Sequence, residues 1–231
     1  MATECLKPFK GKVMRITKLT TCGAFTVGVN QVVTTKGFVS IEQTLNWRDP
    51  DEYEVVNANG ELCLNERSTP QLKWIDLTIN LCEVDVEAWN FMTGAPLVLD
   101  DATPTPNNVG FRLRENTYGN FAIEVWTDLG GAGACSGGNQ KYGYMLLPWV
   151  TDGQPGDVTI ENAAASFSVK GRTKSNSPWG VGYANIRNTV PTPTPAKLLT
   201  AIASTDHRHM QVTDLAPPTA ACGSTALAVA P

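Results

Sequence analysis

The chain has 231 residues, enough for one large β domain or two small ones. Hydrophobic residues make up 42% and charged residues only 17%, so much of the surface has to be neutral Thr, Asn, Ser and Gly, a composition that suits packing against other subunits. Lys and Arg total 18 against 22 Asp and Glu, a balance with no electrostatic footprint for gripping nucleic acid.

Residues 1–15, MATECLKPFKGKVMR, contain no apolar stretch that could serve as a signal peptide. Apolar runs such as YMLLPWV (144–150) are far too short to span a bilayer. The chain is therefore expected to be made in a cytoplasm, to stay soluble and to have no membrane partner.

The first strand candidate is 12–19. In 36–47, Val39, Ile41, Leu45 and Trp47 oppose Ser40, Glu42 and Thr44. Residues 48–71 then interrupt two good strands with charges, an Asn59-Gly60 turn and Pro70, and read as a long loop. In 72–81, LKWIDLTINL, Ile75, Leu77, Ile79 and Leu81 point one way while Asp76, Thr78 and Asn80 point the other.

A single short helix is predicted over 85–93. Asp85 can cap it, Glu87 suits its first turn, and Val86, Trp89 and Met92 share a face. Gly94 stops it and Pro96 follows. A Pro-rich loop (99–108) leads to a strand candidate at 109–115. In 120–127, Phe121, Ile123 and Val125 are set against Ala122 and Glu124. A Gly-rich loop (129–140) precedes further strand candidates at 141–149, 157–170, 179–187 and 198–212, and VPTPTPAK (190–197) echoes the earlier Thr-Pro loop. Alternation of this kind is the antiparallel, all-β pattern, here with one short flanking helix. The division expected is one β domain over 1–212 and an Ala-, Thr- and Pro-rich C-terminal arm over 213–231; the resemblance described below implies a β-sandwich for the first. Leu215, Leu227 and Val229 are too sparse to make a core for that arm, so a neighbouring copy is expected to hold it.

Candidate sites fail one by one. Cys5, Cys22, Cys63, Cys82, Cys135 and Cys222 are widely scattered and contain no CxxC pair, so free thiols acting as small buried hydrophobes are the economical reading. GACSG (133–137) has the outline of a nucleophile elbow at Cys135, but no helix start follows it. His207 and His209 would share a strand face without a third metal ligand, and solvated side chains explain them. RDPDE (48–52) and LDD (99–101) do not match the spacing of a calcium loop. Glu42 and Glu124 could pair as a glycosidase's two carboxylates only if they faced each other, and no pattern says so. The expectation is no enzyme, no cofactor and no metal.

The run GFVSIEQTLNWRDPDEYEVVNANGELCLNERSTPQLKWIDLTINLCEVDVEAWNFMTG (37–94) resembles the major tail proteins, or tail tube proteins, of long-tailed (siphovirus) phages that infect actinobacteria. The NANGELCLNE turn, the PQLKWIDLTINLC strand and the DVEAWNFMTG helix come in that family's order, and GFRLRE (110–115), FAIEVWTDL (121–129) and YGYMLLPWV (142–150) look similar. The resemblance covers roughly residues 36 to 150.

That resemblance implies a tail-tube fold, two packed antiparallel sheets whose inner sheet joins a hexameric β-barrel ring. Rings stack into a hollow tube through which double-stranded DNA is ejected without specific binding. The implied partners are further copies of the chain, a tape measure protein and tail terminator or tip proteins. The implied location is the virion tail, after assembly in the host cytoplasm. The polar faces of 38–46 and 74–82 then become lumen candidates: Ser40, Glu42, Thr44, Asp76, Thr78 and Asn80, with no Lys or Arg among them, a wall that repels phosphates within ~8 Å at physiological salt. The long loop becomes the ring-stacking element, through Arg48, Asp49, Asp51, Glu52, Glu54, Glu61, Glu66 and Arg67. Two rival readings are a carbohydrate-binding or adhesive β-sandwich of a virion or cell surface, which expects exposed aromatics on a concave face, and a β-sandwich hydrolase, which needs a convergent acid pair.

Overall fold

The computed structural model describes residues 6–115, 117–131, 135–136, 139–158, 166–183 and 196–227. In chain order, β1 (Pro8–Lys18) and β2 (Gly28–Thr35) form an antiparallel pair, and β3 (Phe38–Arg48) follows. A projecting hairpin of β4 (Glu52–Val56) and β5 (Leu62–Arg67) leads into β6 (Gln71–Leu81) and then α1 (Val86–Thr93). The short pair β7 (Leu97–Leu99) and β8 (Asn108–Phe111) comes next, followed by β9 (Gly119–Leu129) and the two-residue strands β10 (Cys135–Ser136) and β11 (Asn139–Gln140). The chain finishes with β12 (Tyr142–Pro155), β13 (Phe167–Thr173), β14 (His209–Thr213) and β15 (Ala221–Leu227).

Nine strands form one antiparallel sheet in the order β15-β2-β1-β9-β12-β13-β6-β3, with β14 pairing β12 alongside β13. In place of the two packed sheets that the resemblance implies, one continuous nine-stranded sheet folds over itself. Gly11 of β1 lies against the ring of Phe38 in β3, although β9, β12, β13 and β6 stand between those strands in the sheet. Gln43 of β3 likewise reaches over to donate from Nε2 to Met145 Sδ of β12 at 3.2 Å. The ladders of β12 slip between Leu147 and Val150, Val150 and Gly153, and Thr151 and Gln154; each slip adds local twist.

Between the layers lies a core of Met14, Ile16, Ile75, Leu77, Ile79, Phe121, Ile123, Leu147 and Val169, all at most 2% exposed. The helix closes one end of it. Asp85 Oδ1 accepts from the amides of Glu87 (2.9 Å) and Ala88 (3.0 Å), and Gly94, in the left-handed region at φ 70°, returns its N–H to Asn90 at 2.8 Å. Trp89 and Met92 are buried as expected, whereas Val86 is half-buried at the helix start. Ala88, Phe91 and Thr93 are buried too, so α1 is sunk on several sides and not laid across an outer surface. Trp89 stacks on Phe111 (centroids 4.9 Å apart) and meets Phe167 edge-on at 6.0 Å, contacts worth about 0.5–1.5 kcal/mol each beyond burial. Gly119 and Gly153 let the backbone come this close, because a Cβ at either would collide with the carbonyl oxygens of Phe91 or Met92.

The opposite face of β9 and β12 is also covered. Trp126, Tyr144, Leu146 and Trp149 pack under Trp179, Tyr183, Leu198 and Ile202 from the segment between β13 and β14. The strand predicted over 179–187 is absent from its described part, 179–183, apart from an isolated bridge of Gly180 to Ile202, and 184–187 lie outside the described residues. Of 198–212 only the last four residues belong to a regular strand, β14. Of 157–170, residues 159–165 lie outside the described residues and β13 begins at Phe167.

The arm is the clearest departure. Residues 221–227 form β15, which pairs with β2 of the same chain and buries Leu227 to 4% exposure. Asp85 Oδ2 accepts from Gly223 N at 2.5 Å and Glu87 accepts from Ser224 N, so the helix start holds the strand. Two anchored amides and one apolar side chain suffice where a core cannot form.

Candidate functional site

The six lumen candidates do share one face. Ser40 pairs with Asn80, Glu42 with Thr78 and Thr44 with Asp76 across β3 and β6, and directly opposed residues in an antiparallel pair project to the same side. Side-chain bonds tie them together: Asn80 Nδ2 donates to Ser40 Oγ (2.8 Å) and Glu42 Oε1 (3.2 Å), and Asn46 Nδ2 donates to Asp76 Oδ2 (2.6 Å). The opposite sides of β6 and β3 supply the core, with Ile75, Leu77 and Ile79 buried and Ile41 packed against them.

No Lys or Arg stands on the 38–46 and 74–82 part of this face, but the face does not end there. Strand β13 extends the same face beyond β6, placing Lys170 opposite Thr78 and Arg172 opposite Asp76. Glu42 and Asp76 are therefore accompanied by two cations, and the face is of mixed sign. Sequence reasoning missed this because nothing local shows that β13 lies beside β6, and the predicted strand 157–170 also stopped short of Arg172.

Residues 48–71 are not a loop but a hairpin, continuing β3 and β6 outward, with every residue of β4 and β5 exposed. An Asx-type turn closes it: Asn57 Oδ1 accepts from the amides of Asn59 (3.0 Å) and Glu61 (2.8 Å), and Gly60 sits at φ 80°. The register puts Tyr53, Val55, Leu64 and Glu66 on one face and Glu52, Glu54, Asn65 and Arg67 on the other, and beyond a slip Val56 opposes Leu62. The eight charges predicted here are Arg48, Asp49, Asp51, Glu52, Glu54, Glu61, Glu66 and Arg67, six acids against two arginines. Their two ion pairs, Arg48–Asp51 (2.9 Å) and Arg67–Glu52 (3.4 Å), are exposed. Pairs of that kind contribute ~0–1 kcal/mol. The apolar stripe was not read from the sequence, because a loop assignment gives side chains no faces.

Glu124 contradicts its placement on a polar strand face. It is fully buried, because β9 is covered on both sides. Its carboxylate accepts from Arg15 Nε and Nη2 at 2.6 Å each, and from the hydroxyls of Tyr144 and Tyr183 at 2.8 Å each. Thr17 Oγ1 meets the Tyr183 hydroxyl, and the guanidinium lies over Trp126 (4.9 Å) and Tyr183 (5.4 Å). Burial is the largest single influence on Arg15 and opposes its charge, but Glu124 and the tyrosines together outweigh it and hold the pKa above the ordinary guanidinium range. Burial first, then the field of Glu124, raises both tyrosine hydroxyls above the usual phenol range. The network joins β1, β9, β12 and the Tyr183 segment through buried, charge-assisted bonds, which makes it a structural lock. Glu42, bonded to Ser40 and Asn80, has no part in it, so the two glutamates do not form an acid pair.

His207 is buried, not solvated. Its Nδ1 lies 2.8 Å from Thr173 Oγ1, which accepts the Ile75 amide at 2.9 Å and so continues the β6–β13 ladder by a side chain. His209 is separate, on β14, with Nε2 3.1 Å from Gln211 Oε1. Desolvation lowers the His207 pKa, with Asp206 acting weakly the other way. The folded state therefore binds the proton less readily than the unfolded chain. The contribution is intact above the unfolded imidazole value of about 6.5 and is lost as pH falls from there through the folded value. Melting temperatures between pH 7.5 and 5 are expected to fall on acidification, with a flatter slope in His207→Asn; equal slopes in both proteins would exclude His207 as the cause.

Among the described residues no group of three His, Cys, Asp or Glu side chains could hold a metal. Cys22, Cys63, Cys82 and Cys222 are exposed free thiols, against the expectation of burial. The side chain of Cys135, like Cys5, lies outside the described residues, as do 133, 134 and 137 of the GACSG outline. Of the LDD carboxylates, Asp100 serves a turn: it accepts from Ala102 N (3.1 Å), Asn107 N (2.7 Å) and Asn107 Nδ2 (2.8 Å), bonds that lower its pKa. No helix among the described residues is long and apolar enough to cross a membrane.

Compared with known proteins, the chain matches no family model and no curated sequence. The functional reading rests on its own geometry and on the resemblance of 36–150.

Proposed function

We propose that the chain is a self-assembling structural subunit, the major tail protein of a long-tailed phage, whose copies join side by side into hexameric rings and stack into the tube that conducts DNA. The observation that carries this reading is the free edge of β3. Eleven residues of strand end the sheet with no outer partner among the described residues, and β3 contains neither Pro nor Lys. Natural proteins blunt such an edge unless something pairs with it. A second copy adding a strand there forms a heterologous contact, which closes into a ring when the rotation permits. The exposed hairpin supports the same reading. A two-stranded hairpin is marginal in water by itself, and its apolar face gains stability against a neighbouring ring.

With the sheet continued from β3 into the next subunit, Ser40, Glu42, Thr44, Asp76, Thr78 and Asn80 line the lumen together with Lys170 and Arg172. A wall of mixed sign leaves passing DNA no continuous cationic track, and hydroxyl and amide groups fill the rest. A tape measure protein inside and terminator or tip proteins at the ends complete the assembly in the virion tail.

Sedimentation and negative-stain microscopy test the proposal. Rings or tubes are expected from concentrated protein or from protein recovered from virions. A chain that stays monomeric at every concentration, and forms no rings when taken from particles, overturns it.

A further inference from the structure

A second cationic feature lies at the foot of the hairpin, where β6, β12 and β13 meet. There Lys73, Trp74, Thr151, Asp152, Arg172 and Lys174 surround a cleft of about 320 Å³. Lys73 Nζ and Arg172 Cζ stand 5.7 and 5.6 Å from the Trp74 ring centroid, and Lys174 Nζ stands 4.5 Å from that of Trp149. Rings steer these cations without cancelling their charge. Asp152 meets Arg172 Nε at 2.7 Å, and Asp76 of β6, opposite Arg172, is bonded to Asn46. Lys73 and Lys174 have no carboxylate partner among the described residues. Asp152 occupies the left-handed region at φ 56°, inside the slip of β12 between Thr151 and Gln154. A non-glycine residue persists there only when its surroundings hold it.

We propose that this cleft binds a phosphate-type oxyanion. Two uncompensated ammonium groups and a guanidinium border a volume several times that of one water, ~30 Å³. The planar fork of an arginine matches phosphate oxygens, and lysines add point charges around it. Its place beside Lys170 on the β13 face admits two sources of that group, free phosphate or the phosphodiesters of a nucleic acid. The site stands whether or not the chain forms tubes.

The test titrates inorganic phosphate into the isotope-labelled full chain at low ionic strength and follows the Trp74 indole resonance, assigned with Trp74→Phe. A saturable shift with a dissociation constant on the order of 1 mM is expected, weakened at least tenfold in Lys73→Gln with Arg172→Gln while resonances elsewhere stay in place. Should the double variant fail to fold, Lys73→Gln alone, on an exposed side chain, is expected to weaken binding about threefold. A parallel titration with a short DNA duplex separates the sources. A shift at the same resonances, lost in the same variants and with rising salt, assigns a phosphodiester; a response to inorganic phosphate only assigns the free anion. No saturable shift, or shifts unchanged in the variants, overturns the proposal.

Discussion

Glu124→Gln is expected to lower the unfolding free energy by about 3–5 kcal/mol, the usual cost of leaving one member of a buried ion pair without its partner. Gln keeps the volume and two acceptor or donor groups, but Arg15, only 7% exposed, then carries its charge with no counter-charge in contact. Tyr144 and Tyr183 lose a charged acceptor as well. Since domains of this kind are stable by only 5–15 kcal/mol, the variant should melt far below the parent. The double variant Arg15→Met with Glu124→Leu is expected to recover most of the loss, because apolar groups of similar volume leave no charge behind. Denaturant titrations of the three proteins decide the matter. Equal stability of Glu124→Gln and parent would mean that the pair is not the lock the geometry makes it.

Val55→Thr, Leu62→Thr and Leu64→Thr, made together, are expected to leave the monomer within about 1 kcal/mol of its stability while raising the concentration needed for assembly roughly 100-fold. All three side chains are exposed in the single chain, at 52%, 51% and 43%, so little is lost on folding, and Thr keeps a strand-forming branch at Cβ. In the assembled state each would forgo about 1 kcal/mol of apolar contact, and 1.4 kcal/mol is a factor of ten. Light scattering against concentration gives the midpoint. An unchanged midpoint would assign the hairpin's apolar face some role other than contact between copies.

Period-2 alternation located β3, β6 and the inner side of β9 because each has one face toward the core and one away from it. The same rule fails where both faces are covered. Glu124 alternates correctly with Ile123 and Val125, yet its side of β9 lies under Tyr144 and Tyr183. Strand β2 escaped notice for a related reason, since consecutive Val32, Val33 and Thr34 are all buried and no polar residue marks the period. Caps are local, so Asp85 and Gly94 bounded the helix to within a residue. The mixed sign of the candidate face was not readable in this way. It depends on which strand lies beyond β6, and pairing across a gap of 80 or more residues leaves no trace in a single window.

The long reach of that lock also constrains how the chain is made. Arg15 and Glu124 lie 109 positions apart, and β2 waits for a strand whose Thr225 is 193 positions beyond Val32. At about 5–20 residues per second of synthesis, Arg15 leaves the ribosome roughly 5–20 s before its counter-charge and β2 stays open for roughly 10–40 s. Throughout that interval the nascent chain presents an unpaired strand edge, the side of β2 away from β1, beside other nascent chains on the same message. Premature pairing at β2, rather than at β3, is thus the error this topology invites during translation, and the last described strand of the chain is the one that ends the exposure.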